Sequence, residues 1–139
     1  AHVSHKHLDN FLQYIPENYP KIKEREKDAD TTAINILKKS INENNAQSMV
    51  ILGSIIATAS LLYFGKAVQS PTHPDKDDRI KSVIESFELE DTHHMWGIAA
   101  LTLQFFNQKE GFGFTFTEPE HYKELFYQFL EEFKKIKTI

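Results

Sequence analysis

Two adjacent histidines, His93 and His94, follow the acidic residues Glu90 and Asp91 in a chain of 139 residues. Imidazole and carboxylate groups together bind zinc or iron, and they also carry out acid–base chemistry. Neighbouring residues on a helix point about 100° apart, so one of the two imidazoles faces away from an ion that the other binds. The cluster therefore supports either a metal site at His93 and His94 or a surface or structural role for both.

Other motifs of known chemistry are missing from the sequence. There is no cysteine, which excludes disulfides, thiolate metal sites and cysteine catalysis. No two histidines are four residues apart, and neither a Gly-x-Ser-x-Gly elbow nor a glycine-rich phosphate loop is present. His73, in a proline-rich segment, and His121, at the start of the last predicted helix, are expected to be solvated. The sequence thus assigns no catalytic residue and no cofactor.

An acidic group spans the junction of the fourth and fifth predicted helices: Glu85, Glu88, Glu90 and Asp91. Like charges one turn apart on a helix cost a few tenths of a kcal/mol per pair. A solvated face tolerates this cost, whereas a basic protein partner would relieve it and bind faster because of it. The net charge of −4 argues against a nucleic-acid partner. We therefore predict that these four residues bind a protein partner.

The elements that position these residues include a helix without charge. No charged residue lies between Glu43 and Lys66, and residues 49–64 are almost entirely apolar. About 16 apolar residues make roughly 24 Å of helix, which is short of the ~30 Å hydrocarbon core of a bilayer. The stretch is therefore predicted to be a buried helix, with a small membrane-attached protein as the alternative. Small residues at helical spacing are expected to pack against another helix or a second copy: Gly53, Ala57 and Ser60.

The hydrophobic periodicity predicts an all-α, single-domain bundle of about six helices spanning residues 1–139. The first helix is predicted to begin after Ser4 and the second to span residues 20–41, where the mixed charges of residues 21–30 indicate a solvated turn. A second uncharged stretch, residues 95–106, pairs with the first uncharged stretch as a central apolar helix pair. The proline-rich loop 70–78 separates the two halves, and residues 111–117 form an extended segment that pins three phenyl rings onto the bundle. The last helix buries an aromatic stripe that includes Phe126, Phe129 and Phe133.

These observations predict a non-catalytic helical protein-binding module, in its sharpest form a bacterial inhibitor or immunity-type protein that neutralises a basic partner. The alternative functions are a metal- or ligand-binding enzyme or sensor that uses His93 and His94, and the membrane-attached protein described above. The N-terminal residues contain no apolar secretory segment, which predicts a cytoplasmic protein. A homodimer is expected to cover any apolar strip that the outer helices leave open.

Overall fold

The computed structural model describes residues 16–44, 47–64 and 69–137, and within these ranges the chain is helical without any strand. It contains five α-helices: α1 (Tyr19–Asn44), α2 (Gln47–Ser60), α3 (Lys76–Ser86), α4 (Met95–Glu110) and α5 (Tyr122–Lys137). Two short 3-10 helices, Pro16–Asn18 and Leu61–Tyr63, precede α1 and follow α2. The prediction of an all-α bundle is confirmed. The described ranges hold five helices where about six were predicted for the chain, and the helix predicted after Ser4 lies outside them.

Helix α4 lies at the centre of the bundle. It packs most extensively against α5 and also against α2 and α3, so the two uncharged helices α2 and α4 are in contact as predicted. One hydrophobic core joins them, and its fully buried members include Ile51 and Ile55 of α2, Leu103 and Phe106 of α4, and Phe126 of α5. Burial of large apolar side chains from all five described α-helices stabilises the fold.

The small residues of α2 lie on its exposed face. Gly53, Ala57 and Ser60 are all exposed, and a Cβ added at Gly53 would meet no atom within 4 Å. The prediction that they pack in the core is therefore wrong, because the larger Ile51 and Ile55 occupy the face that contacts α4. Their use in a dimer remains a prediction. Within the described ranges, no helix combines the length and apolar character that crossing a membrane requires.

The aromatic stripe of α5 is buried as predicted. Phe126, Phe129 and Phe133 are at most 2% exposed. The extended segment before α5 packs onto this stripe, with the ring of Phe114 at 4.9 Å from that of Phe133 and the ring of Phe116 at 4.3 Å from that of Phe129. The segment follows Gly111, whose φ of 71° ends α4 in a left-handed conformation that glycine adopts without strain.

Tyr127 links α5 to α3 through a hydrogen bond from its hydroxyl to the carboxylate of Glu85. Burial, followed by this bond, raises the pKa of Tyr127 from 10.0 to about 12. The raised pKa means that the protonated phenol contributes stability below pH 10, and that this contribution is lost as the pH rises through about 12. We expect a tyrosinate absorbance step near pH 12 that disappears in Tyr127→Phe and persists in the exposed control Tyr122→Phe. A Tyr127 that ionises near pH 10 would contradict this contact.

Candidate functional site

A carboxylate of α1 faces an imidazole of the loop that precedes α3. The Nδ1 atom of His73 lies 3.9 Å from Oε2 of Glu26, and the two side chains are 47% and 21% exposed. Of the four histidines in the described part of the chain, His73 alone lies within ion-pair distance of a carboxylate. Such a pair combines a proton acceptor with a proton donor at one accessible position.

The pair opens into a cleft of about 550 Å³, here called the His73 cleft. Both apolar and charged or polar residues line it, so it can contact both the side chains and the backbone of a ligand. Its lining residues are Glu26, Leu61, Phe64, Gln69, Ser70, Pro71, His73, Pro74, Lys76 and Arg79. Burial, aided by the positive charge of Lys109, lowers the pKa of Lys76 in this lining.

Local hydrogen bonds shape the loop 69–75 that carries His73. The hydroxyl of Ser70 accepts hydrogen bonds from the backbone N–H groups of Thr72 and His73, at 3.3 and 3.1 Å. Pro71 and Pro74 restrict the backbone on either side of His73, because each ring fixes its own φ. The loop is therefore held in one turn instead of being a freely solvated connection.

Ion pairs between α1 and α3 bracket the cleft. Arg79 of α3 lies 2.5 Å from the carboxylate of Asp30, which stands one helical turn after Glu26 on α1. On the other side, Lys23 of α1 lies 3.0 Å from the carboxylate of Asp75, the residue that precedes α3. Both pairs join residues that are distant in sequence, so they fix how α1 and α3 sit around His73.

The start of α3 also carries a group of three acidic residues, Asp75, Asp77 and Asp78. Within the described ranges this is the one group of three or more potential metal ligands whose ligand atoms lie within 4.8 Å of one another. Its centre is taken by the ammonium of Lys137 from α5, which lies 3.1, 2.7 and 3.5 Å from the three carboxylates. The group therefore binds a lysine of its own chain and joins the end of α5 to the start of α3.

The pKa values in this group reflect burial opposed by charge pairing. Burial raises the pKa of Asp77, and Lys137 only partly offsets that effect. Burial alone would also raise the pKa of Asp75, but its ion pairs with Lys23 and Lys137 hold that pKa below the usual value. For Lys137, burial opposes the charged form, yet the three aspartates raise its pKa. Lys137 is therefore charged at neutral pH and is needed to compensate the buried Asp77.

His93 and His94 lie at the start of α4. Their rings stack with centroids 4.5 Å apart, and His93 Nδ1 accepts a hydrogen bond from the backbone N–H of Met95 at 3.2 Å. Among the residues that the structure describes, neither histidine belongs to a group of three potential metal ligands. The metal assignment at His93 and His94 remains a prediction. His5 and His7 lie outside the described ranges.

The predicted acidic binding group is partly neutralised within the chain. Glu85 accepts the hydrogen bond from Tyr127, and Asp91 lies 2.5 Å from the ammonium of Lys123. Glu88 lies two residues after the end of α3 and has a φ of 53°, and the backbone carbonyl of Glu90 accepts a hydrogen bond from the indole of Trp96. These residues therefore stabilise the α3–α4 connection, and a partner-binding role for them remains a prediction.

A second cavity lies between α4 and α5 and has a volume of about 610 Å³. Its walls are mainly apolar, with Ile98, Leu101 and Leu125 among them and His94 as its one titratable imidazole. Tyr122 closes against Gly97, where an added Cβ would lie 3.1 Å from the tyrosine ring. No acidic side chain lines this second cavity, so it lacks the carboxylate and imidazole combination of the His73 cleft.

Comparison with known protein families gives a match over most of the chain. The sequence profile of the family described as Peptidase U49 matches residues 1–99. The chain belongs to the Peptidase U49 family. Among curated proteins and solved structures, the comparisons found no match. The matched range contains every residue that lines the His73 cleft, including Glu26, His73 and Arg79, whereas most of α4 and all of α5 lie beyond it.

The prediction of a non-catalytic inhibitor or immunity-type protein is wrong, because membership of Peptidase U49 associates the chain with a peptidase family. The error came from treating the absence of a short catalytic motif as an absence of chemistry. Glu26 lies in a charged stretch that indicates a solvated turn, yet its side chain is only 21% exposed, whereas His73 is exposed as predicted. One signal was available, since Glu26 and Asp30 are like charges one turn apart on a helix that also buries Ile22 and Ala29.

Proposed function

We propose that this member of the Peptidase U49 family hydrolyses peptide bonds at the His73 cleft, with Glu26 and His73 as its catalytic pair. The proposal depends on the 3.9 Å approach of the two side chains at the mouth of a cleft, inside the residues that match the family. The exposure of His73 leaves the pair accessible to a polypeptide substrate.

Peptide hydrolysis needs a base that takes a proton from the attacking water and an acid that protonates the departing amine. The separation of Glu26 and His73 is too long for a direct hydrogen bond, so one water molecule can contact both groups. We assign the carboxylate of Glu26 to accept the proton of that water. The side chain of His73 then protonates the departing amine, or it stabilises the developing oxyanion while Glu26 returns the proton of the water to the amine.

The same two side chains are also suitable ligands for a catalytic zinc ion, which normally takes three protein ligands. Within the described residues, no third histidine or acidic residue joins Glu26 and His73 in a ligand group. We therefore assign acid–base catalysis, for which the two side chains of Glu26 and His73 are sufficient. Assays with and without a chelator separate the two mechanisms, since Glu26 and His73 are required in both and only a metal-dependent reaction is lost on chelation.

The proposal predicts that His73→Gln lowers the rate of peptide cleavage by about 10²-fold or more, because one acid–base group is lost. The measurement is the appearance of new N-termini from unfolded casein, followed by mass spectrometry. His94→Gln is the matched control, since His94 is an exposed histidine outside the cleft, and it should cleave at the wild-type rate. Equal activity of His73→Gln and wild type would refute the assignment.

A further inference from the structure

The His73 cleft is built by α1 and by the loop before α3, yet its geometry depends on a contact from the last helix. Asp75 lies two residues after His73, and each oxygen of its carboxylate has a lysine partner. Oδ1 is 3.0 Å from Lys23 on α1, and Oδ2 is 3.1 Å from Lys137 on α5. Asp75 is therefore held between the helix that carries Glu26 and the helix that ends the described chain.

Lys23 links this arrangement to the helix that carries Glu26. It stands three residues before Glu26 on α1, and its ammonium also lies 3.5 Å from the backbone carbonyl of Ser70. Lys23 thus contacts the loop 69–75 at both ends, at Ser70 and at Asp75. These contacts hold the intervening His73 against the turn of α1 that carries Glu26.

Lys137 determines whether Asp75 can remain charged at this position. Its side chain is 11% exposed, and it also neutralises Asp77, whose side chain is 2% exposed. Without Lys137, three aspartates would share one end of α3 with Lys23 as the remaining cation among these contacts. Repulsion among the carboxylates would then pull Asp75 away from its place between α1 and α5.

Resting on the function proposed above, we propose that Asp75 is a positioning residue that holds His73 opposite Glu26, and that Lys137 serves the cleft through Asp75. The last helix, which lies outside the family match, thereby contributes to the reaction. Neither Asp75 nor Lys137 lines the cleft, so both act through the loop and not on the substrate.

Amide hydrogen exchange tests the inference without any assay of activity. The N–H groups of Thr72 and His73 donate to the Ser70 hydroxyl, so their exchange rates report how often the loop 69–75 opens. Asp75→Asn should raise these two rates by roughly tenfold and leave the core amides of α4 unchanged. Lys137→Met also leaves the buried Asp77 without its cation, so it should accelerate the loop amides by more than it accelerates the core amides. Lys137→Arg should restore slow exchange, and Lys134→Met, at an exposed ion pair of the same helix, should have no effect. Unchanged loop exchange, or equal acceleration throughout the protein, would overturn the inference.

Kinetics separate this inference from the proposed function. Asp75→Asn should lower kcat by about tenfold with little change in KM, because the substrate still binds while His73 is displaced. In a His73→Gln background the same change should have no further effect, since its target is already lost. Full activity of His73→Gln would refute the proposed function. An impaired His73→Gln combined with a fully active Asp75→Asn, or with an independent additional loss, would refute the positioning role alone.

Discussion

Replacement of Glu26 with glutamine is expected to lower kcat/KM for peptide cleavage by about 10²- to 10⁴-fold, the range that a lost general base produces. Glutamine preserves the length and shape of the side chain but cannot accept the proton of the attacking water. Because the two side chains have the same size and shape, the substitution should leave the folded structure intact. The loss should therefore be in the chemical step and appear mainly in kcat.

Glu24→Gln is the control for this experiment, because Glu24 is an exposed acidic residue on the same helix and lies outside the cleft. Both variants and the wild type are compared by steady-state kinetics on one peptide and by thermal unfolding. We expect three similar melting temperatures and a loss of activity in Glu26→Gln alone. Equal losses in both variants would show that the net charge of α1, and not the position of Glu26, determines the rate.

Phe133→Ala is expected to destabilise the fold by about 3–5 kcal/mol, the range for truncation of a buried phenylalanine. Phe133 is fully buried, and its ring contacts those of Phe106, Phe112 and Phe114 at centroid distances of 6.0, 6.1 and 4.9 Å. Its removal leaves a cavity where α4, α5 and the extended segment meet. Because α5 also carries Lys137, the loss should loosen the end of the helix that contacts α3.

The measurement for Phe133→Ala is urea unfolding followed by circular dichroism. The control is Phe105→Ala, at a phenylalanine of α4 that is 51% exposed, and it should cost under about 1 kcal/mol because little burial is lost. If the two variants were equally stable, Phe133 would not be at the centre of the core. The arrangement of the extended segment on α5 would then be incorrect.

The sequence was sufficient to predict the helical elements. The predicted helix over residues 20–41 corresponds to α1, and the aromatic stripe of Phe126, Phe129 and Phe133 faces the core as its period indicates. Such patterns are local, because a helix that buries one face repeats its apolar residues every three or four positions. The face of α2 was misassigned because a helix with apolar residues all round has no periodic signal to orient it.

The start of α5 shows a limit of local motifs. Thr117 and Glu120 have the spacing of a capping box, but the helix begins later, at Tyr122. The backbone N–H of Glu124 donates to Nδ1 of His121, and that of Glu120 donates to the carboxylate of Glu124. The capping hydrogen bonds therefore lie one turn further along, at His121 and Glu124. Thr117 belongs to the extended segment, where its backbone N–H donates to the side chain of Gln128.

The candidate site could not be predicted from sequence patterns, because it is made by contacts between residues far apart in the chain. Glu26 belongs to a charged stretch that resembles any solvated turn, and His73 lies in a loop rich in turn-forming residues. Only the packing of α1 against the start of α3 brings the two side chains together, through the pairs Lys23–Asp75 and Asp30–Arg79. The adjacency of His93 and His94 suggested a metal site, but adjacency in sequence does not indicate whether a third ligand lies nearby.

A double-mutant cycle on Glu26 and His73 tests the central claim most directly. The kcat/KM for one peptide is measured for wild type, Glu26→Gln, His73→Gln and the double variant. Two groups that act on the same water molecule should be strongly coupled, so the double variant should be no slower than the more impaired single variant. Multiplied losses in the double variant, or wild-type activity in either single variant, would contradict a shared catalytic role at the His73 cleft.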